Sequence, residues 1–223
     1  LKSLGATKVK LLGNIKFSQL ENEKNTLNNK IKKFIKSKKT WCASSTHDTE
    51  EIFCGLVHKE LKRRYKNLLT IIIPRHIERV DKIEKELNDL NLKTHTYRSN
   101  KNIRKDTDIY IVDTYGKTKS FYNVCKNVFL GGSIINHGGQ NPIEPARFGL
   151  NIIHGPNVQN FKDIYQFFNR SKISHRFVNR KQLVSLSDKL LISKNKKKLN
   201  LKKIGNIILN KSTNEINSIF NNE

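Results

Sequence analysis

The chain contains no methionine, four prolines, one tryptophan and three cysteines in 223 residues. Without methionine Leu1 is not an initiator, so the chain is expected to be a processed product or a segment of something longer. Cys42, Cys54 and Cys125 are an odd number at spacings that match no zinc or CxxC pattern; buried free thiols are expected, not a disulfide framework. No apolar run approaches the ~18 residues of a membrane span, the longest strongly apolar block being residues 68–73. Residues 1–20 lack the charged start, apolar stretch and small-residue cleavage site of a secretory signal. Proline-rich or glycine/serine-rich linkers and repeats at 20–50 residue periods are also missing, so nothing marks a second large domain.

Acidic residues are scarce as well: 19 against 43 basic ones, a net charge of +24. Such an excess raises the question of an anionic partner. Of the basic residues, however, 33 are lysine and only 10 arginine, whereas planar recognition of phosphate and base edges favours arginine. Nucleic acid is therefore not expected. A solvated lysine-rich surface and a face for anionic lipid both remain open.

What is present is a series of short apolar blocks alternating with amphipathic stretches. Residues 1–17 read as a short strand and 18–39, with Leu20, Leu27, Ile31 and Ile35, as a lead-in helix. Strands are expected at 40–44, 68–74, 93–97, 108–113, 127–131, 151–155 and 175–178, with helices at 49–65, 77–90, 117–125, 142–148, 161–169 and 181–193. Such alternation specifies an α/β fold, a Rossmann-like parallel sheet with helices on both faces. The expected division is an interdomain lead-in strand and helix over 1–39, a nucleotide-sugar-binding domain over 40–193, and a basic linker with a closing helix over 194–223.

Ligands of such sheets bind beyond the carboxyl ends of the strands, so the polar clusters that follow the apolar blocks carry the weight. The first, Ser44-Ser45-Thr46-His47-Asp48-Thr49-Glu50-Glu51, offers hydroxyls and an imidazole; plain helix capping by Thr46, Asp48 or Thr49 explains it as well. In the second, Pro74-Arg75-His76, an arginine stands where a phosphate would rest, although Glu78 could pair with it. His47 and His76 are candidates for general acid–base work or for structural positioning. The third, Asp113-Thr114-Tyr115-Gly116, ends on a glycine that lets the backbone approach a ligand or simply turn. The fourth is the richest: Gly131-Gly132-Ser133, then Gly138-Gly139-Gln140-Asn141-Pro142-Ile143-Glu144-Pro145-Ala146, with Asn141 as helix cap and Glu144 in the first turn. It matches neither the dinucleotide fingerprint nor a Walker loop.

Taken in order, W-x-A-x-S-T-H-x-x-E-E, I-I-I-P-R-H-x-E-R, D-T-x-G, G-G-S, G-G-x-N-P-x-E-P-A and G-P-x-x-x-N-F resemble the 3-deoxy-D-manno-octulosonic acid (Kdo) transferases over about residues 1–162. The resemblance implies the C-terminal, donor-binding domain of a GT-B glycosyltransferase. That enzyme moves Kdo from CMP-Kdo to the lipid A precursor (lipid IVA) in lipopolysaccharide core biosynthesis, on the cytoplasmic face of the bacterial inner membrane, with no metal or other cofactor. The family's N-terminal acceptor half, which holds its catalytic base and membrane-associating segment, has no counterpart here, so no catalytic residue is assigned.

Carried over position by position, the contacts to CMP fall on Pro74 and Arg75, on Tyr115, Gly116 and Lys117, and on Asn141, Pro142, Ile143 and Glu144. Ser45, Thr46, His47, His76, Gly132 and Ser133 are further candidates to line the site. In this picture Arg75 and the amides before the Pro142 helix hold the phosphate, and Glu144 the ribose. The chain departs from the family at Lys117, Thr49 and Gln140, where the usual residues are glutamate, glycine and histidine. The alternatives are another GT-B enzyme, such as a UDP-sugar 2-epimerase, and a basic nucleic-acid or lipid-binding module.

Overall fold

The computed structural model describes residues 2–10, 12–18, 27–99, 103–193 and 200–220. Leu20 of the expected lead-in helix and residues 194–199 of the basic linker lie outside them. The chain divides into two compact units, Lys24–Lys198 and a smaller one of Leu1–Glu23 with Leu199–Glu223.

The larger unit is a seven-stranded sheet in the order β3-β4-β2-β1-β5-β6-β7, and every pairing is parallel. The strands are β1 (Lys39–Thr46), β2 (Leu68–Pro74), β3 (Thr94–Thr96), β4 (Ile109–Ile111), β5 (Asn127–Leu130), β6 (Asn151–His154) and β7 (Ser174–Arg176). Helices α1 (Asn29–Lys36), α2 (Glu50–Lys62), α3 (Val80–Asp89), α4 (Thr118–Tyr122), α5 (Ile143–Arg147), α6 (Lys162–Arg170) and α7 (Arg180–Ile192) accompany them. All seven strands and the six helices that follow them fall where the apolar blocks put them.

Strand periodicity explains the two faces. Trp41, Ala43, Ile72, Ile111, Phe129 and Ile153 point to one side, where Cys54, Val57 and Leu61 of α2, Ile83 and Leu87 of α3, and Leu183 and Leu190 of α7 cover them. The alternate residues meet the other layer: Tyr110 packs against Phe121 of α4, Ser44 accepts a hydrogen bond from Tyr122, and His154 lies against Tyr165 of α6. Each large apolar side chain so buried contributes roughly 1.5–3 kcal/mol, and β2, buried along its whole length, carries a single polar residue, Thr70. The three cysteines are free and buried.

β1 has β2 on one side and β5 on the other, so the chain reverses its direction across the sheet between these strands. The crevice at their carboxyl ends is the topological switch point. At the opposite end the framework is pinned by Asp108, buried before β4. It takes an ion pair from Lys62, lies 3.5 Å from His58 Nε2, and accepts from the Lys93 amide at 3.0 Å.

In the smaller unit, α8 (Leu201–Phe220) packs on a 3-10 turn at Ile15–Ser18, burying Phe17 and Leu201. The strand expected over residues 1–17 is absent among the described residues, which form 3-10 turns at Lys2–Leu4 and Ile15–Ser18 instead. Gly13 gives the reason: φ of 115° takes the backbone out of the extended region, and a Cβ there would lie 2.9 Å from Ile208 of α8. No helix among the described residues is long and apolar enough to cross a membrane.

Burial alone would raise the Asp108 carboxyl, but His58, Lys62 and the Lys93 amide outweigh it and hold it well below the usual carboxylate range. Because its folded pKa lies below the unfolded value of about 3.9, the stability it contributes is present above that pH and lost as pH falls through the folded value. Asp108→Asn should cost about 2–3 kcal/mol in urea unfolding at pH 7, and the gap to the unmutated chain should narrow progressively below pH 4.

Candidate functional site

Glu50, the first residue of α2, is fully buried beneath the switch point. Its carboxylate accepts four backbone N–H groups: His47 at 3.0 Å, Gly132 at 2.7 Å, Ser133 at 3.2 Å and Ile134 at 3.0 Å. One side chain thus ties the loop after β1 to the loop after β5. Burial pushes its carboxyl up, and the four donors oppose that rise. The approach requires glycine at 131, because a Cβ there would lie 2.3 Å from the Ser45 carbonyl and 2.7 Å from Glu50 Oε2. Next to it Glu51 takes both guanidinium nitrogens of Arg79 at 3.1 Å, and Arg79 also reaches Asp48 at 2.7 Å.

The expected capping of α2 does not occur in that form. Thr49 stands before the helix with φ of 73°, in the left-handed region, and its side chain makes no capping bond. The Glu50 carboxylate takes the loop amides instead. Left-handed backbone is costly for a β-branched residue, so the glycine usual in the resembled family fits this position better than threonine.

Contacts join the loops at the strand ends. The Arg75 amide donates to the Thr46 carbonyl at 2.9 Å, fixing the β2 loop to the β1 loop. The Tyr115 hydroxyl donates to Glu78 at 3.3 Å, bringing the β4 loop to the same place. Lys119 of α4 lies 3.8 Å from Glu144 of α5, and the Gln140 amide is 3.3 Å from His47 Nε2. The three segments holding Pro74 and Arg75, Tyr115 to Lys117, and Asn141 to Glu144 are therefore linked into one surface.

Within it the residues differ in what they can offer. Arg75 is exposed and makes no ion pair among the described residues; Glu78 pairs with His76 at 3.3 Å instead. His47 is mostly buried, with its ring centroid 4.3 Å from His137 and 5.9 Å from His76. Burial first, then His137, His76, Arg75 and Arg79, lower its pKa to about 4. It is a neutral imidazole at pH 7, set among cations and awaiting no further positive charge. Tyr115 and Gly116 are exposed and Lys117 is half-buried, whereas Pro74, Pro142 and Ile143 are buried supports.

Three candidates are used differently from expectation. The Ser133 hydroxyl is buried, donating to Leu130 O at 2.5 Å and accepting from the Gly155 amide at 2.9 Å, so it joins β5 to β6. Thr46 is fully buried. The Ile143 amide is occupied by the Asn141 side chain at 3.0 Å. Ser45 and Gly132 sit at the crevice, where a Cβ on Gly132 would lie 3.4 Å from the His47 ring. The sequence reading missed His137 and Lys119, which stand inside candidate segments but belong to none of their motifs. Among the described residues no group of three or more His, Cys, Asp or Glu is placed to hold a metal ion.

With this geometry in view, the chain was compared with known proteins. It is 30% identical over 191 residues to the 3-deoxy-D-manno-octulosonic acid transferase of Aquifex aeolicus, an alignment covering 85% of the chain and 50% of that protein. It is 31% identical over 200 residues to the transferase of the same name from Rickettsia bellii, covering 88% of the chain and 47% of that protein. The chain is a relative of these Kdo transferases. It spans about half the length of the curated relatives it matches. The solved C-terminal CMP-Kdo binding domain of WaaA from Acinetobacter baumannii shares the fold, with a TM-score of 0.68, 23% identity, and coverage of 80% of the chain and 91% of that domain. No protein-family model matches.

The Glu50 clasp and the Thr49 strain generate paired expectations. Glu50→Gln turns an acceptor-only group into one that also presents donors to facing amides, and should cost about 2–4 kcal/mol in chemical denaturation while amide exchange at Gly132 and Ile134 rises. Thr49→Gly relieves the left-handed strain and should stabilise the chain by about 1 kcal/mol in the same assay.

Proposed function

We propose that this chain is the donor-binding part of a glycosyltransferase that moves Kdo from CMP-Kdo to the lipid A precursor. The observation that carries the reading is the union of the three motif-bearing loops at the β1/β5 switch point, with Arg75 left unpaired among the described residues at their centre. Nucleotides bind Rossmann-like sheets at this crevice, and Arg75 supplies an always-charged fork for the phosphate. As the bond to Kdo breaks, negative charge grows on that phosphate, and a cation fixed beforehand stabilises it more in the transition state than in the ground state.

Glu144 is the ribose acceptor in this reading. Its pairing with Lys119 is long, at 3.8 Å, and partly exposed, so hydroxyl groups can replace it at little cost. His47, neutral before binding, becomes easier to protonate once an anionic phosphate offsets Arg75 and Arg79. The acceptor groove and catalytic base belong, in this proposal, to the transferase half that the chain does not span. Lysines such as Lys202 and Lys203, exposed on α8, suit attachment to the anionic cytoplasmic face of the inner membrane.

Calorimetric titration with CMP, and with UDP as control at moderate salt, tests the reading. Selective CMP binding is expected, weakened about 10–100-fold by Arg75→Ala and about 5–10-fold by Glu144→Ala, the range for losing a charged hydrogen bond. A preference for UDP, or affinity unchanged in both variants, would overturn it. In NMR titration the His47 midpoint, about 4 in the free chain, should move upward with CMP and stay in place with cytidine, which has no phosphate.

A further inference from the structure

A cavity of about 450 Å³ lies between α6 and the carboxyl ends of β6 and β7, and none of the residues assigned to CMP lines it. Its volume falls within the ~300–1,000 Å³ typical of small-molecule sites. Along one face of α6, Lys162, Gln166 and Asn169 recur at helical spacing toward it, and Arg176 of β7 closes the other side. Lys162 and Arg176 make no ion pair among the described residues.

At the base is His154, the last residue of β6 and 2% exposed. Its Nδ1 lies 2.7 Å from the Gly155 carbonyl oxygen. That oxygen can only accept, so Nδ1 carries the proton and Nε2 presents a lone pair. Nε2 is buried and has no hydrogen-bond partner among the described residues. Burial and the neighbouring Arg176 and His175 lower the ring's pKa to about 4, so the lone pair persists at neutral pH. Tyr165 fixes the ring from 4.4 Å, while its own hydroxyl is committed to the Gln140 carbonyl at 3.0 Å. A buried acceptor without a donor costs about 1–3 kcal/mol, and such groups are uncommon unless a ligand or water completes them.

The requirements are specific. Two cations call for an anionic group, the side-chain amides of Gln166 and Asn169 suit hydroxyls, and His154 needs a hydrogen-bond donor. We infer that this cavity binds a hydroxylated small anion, a sugar acid or a sugar phosphate, with its charge on Lys162 and Arg176 and a hydroxyl donated to His154 Nε2. The site is separate from the CMP residues yet shares a wall with them. Val158, which lines the cavity, would lie 3.1 Å from a Cβ on Gly139, and Tyr165 holds Gln140, one residue before Asn141. The inference needs no nucleotide and stands whether or not CMP binds.

The test is titration of the chain with free Kdo as the sugar acid, glucose 1-phosphate as the sugar phosphate, and sulfate, which carries charge but no donor. Saturable binding of at least one sugar, ten-fold or more tighter than sulfate, is expected, and the two sugar arms identify the source of the anion. Lys162→Gln combined with Arg176→Gln should weaken that binding at least ten-fold and leave CMP affinity unchanged. His154→Phe keeps the ring packing and should erase the preference for sugar over sulfate; if that variant does not fold, the lysine and arginine substitutions decide alone. Sulfate binding as tightly as both sugars, saturation by neither sugar, or indifference to the double substitution overturns the inference. Loss of CMP binding with sugar binding intact would instead refute the nucleotide reading alone.

Discussion

The buried Glu50 carboxylate is the point on which the site depends. A parallel sheet opens a crevice wherever its strand order reverses, and the two loops flanking it tend to part because the ladder ends with the Gly131 amide on the Ser44 carbonyl. Glu50 closes that gap with four N–H bonds from both sides. A desolvated carboxylate is expensive alone, but fully satisfied it fixes geometry more firmly than an apolar contact, since every lone pair has a direction. The position of His47, the turn through Gly131 and Gly132, and the approach of Gln140 to the imidazole all follow from it.

The division of labour between two arginines shows how a strongly basic chain keeps a selective cation. Arg79 is committed to Glu51 and Asp48, and holds α2 against the start of α3. Arg75, four residues earlier, is anchored through its backbone to Thr46 while its guanidinium stays uncommitted among the described residues. With +24 of net charge the chain has many cations, yet most are lysines on flexible stems, which surrender more entropy on ordering and are screened by salt. Placement, not the sum of charge, distinguishes a site.

Much of this was legible in the sequence because its signals are local. The apolar blocks at 68–73 and 127–130 can only be strands buried on both faces, and the helices between them follow from spacing, so the sheet was readable. Motif order also pointed to the loops that gather at the switch point. The details that failed were those decided by tertiary contacts. Glu50 and Glu51 read only as the end of a polar run before a helix, because nothing local says that three amides from more than eighty positions away, together with that of His47, will surround one of them. Ser133 looked like a ligand hydroxyl and is a strut between strands. The opening segment read as a short strand, but Gly13, with φ of 115°, bends the chain where Ile208 of α8 packs against it.

The departures from the resembled family are best judged by where they sit. Thr49 carries backbone strain in a loop that Glu50 over-determines, so the cost is borne in stability and the geometry survives. Lys117 stands at the N-cap of α4, whereas Lys119, two residues along, is the one that lies 3.8 Å from Glu144. A lysine at 117, where the resembled family has glutamate, adds positive charge beside the surface proposed for the phosphate. On the proposed reading the substitution removes a side-chain acceptor for the nucleotide while raising the attraction for its anionic part. On that reading these effects oppose each other in affinity, and the turn at Gly116, with φ of 76°, would present the backbone whichever side chain stands at 117.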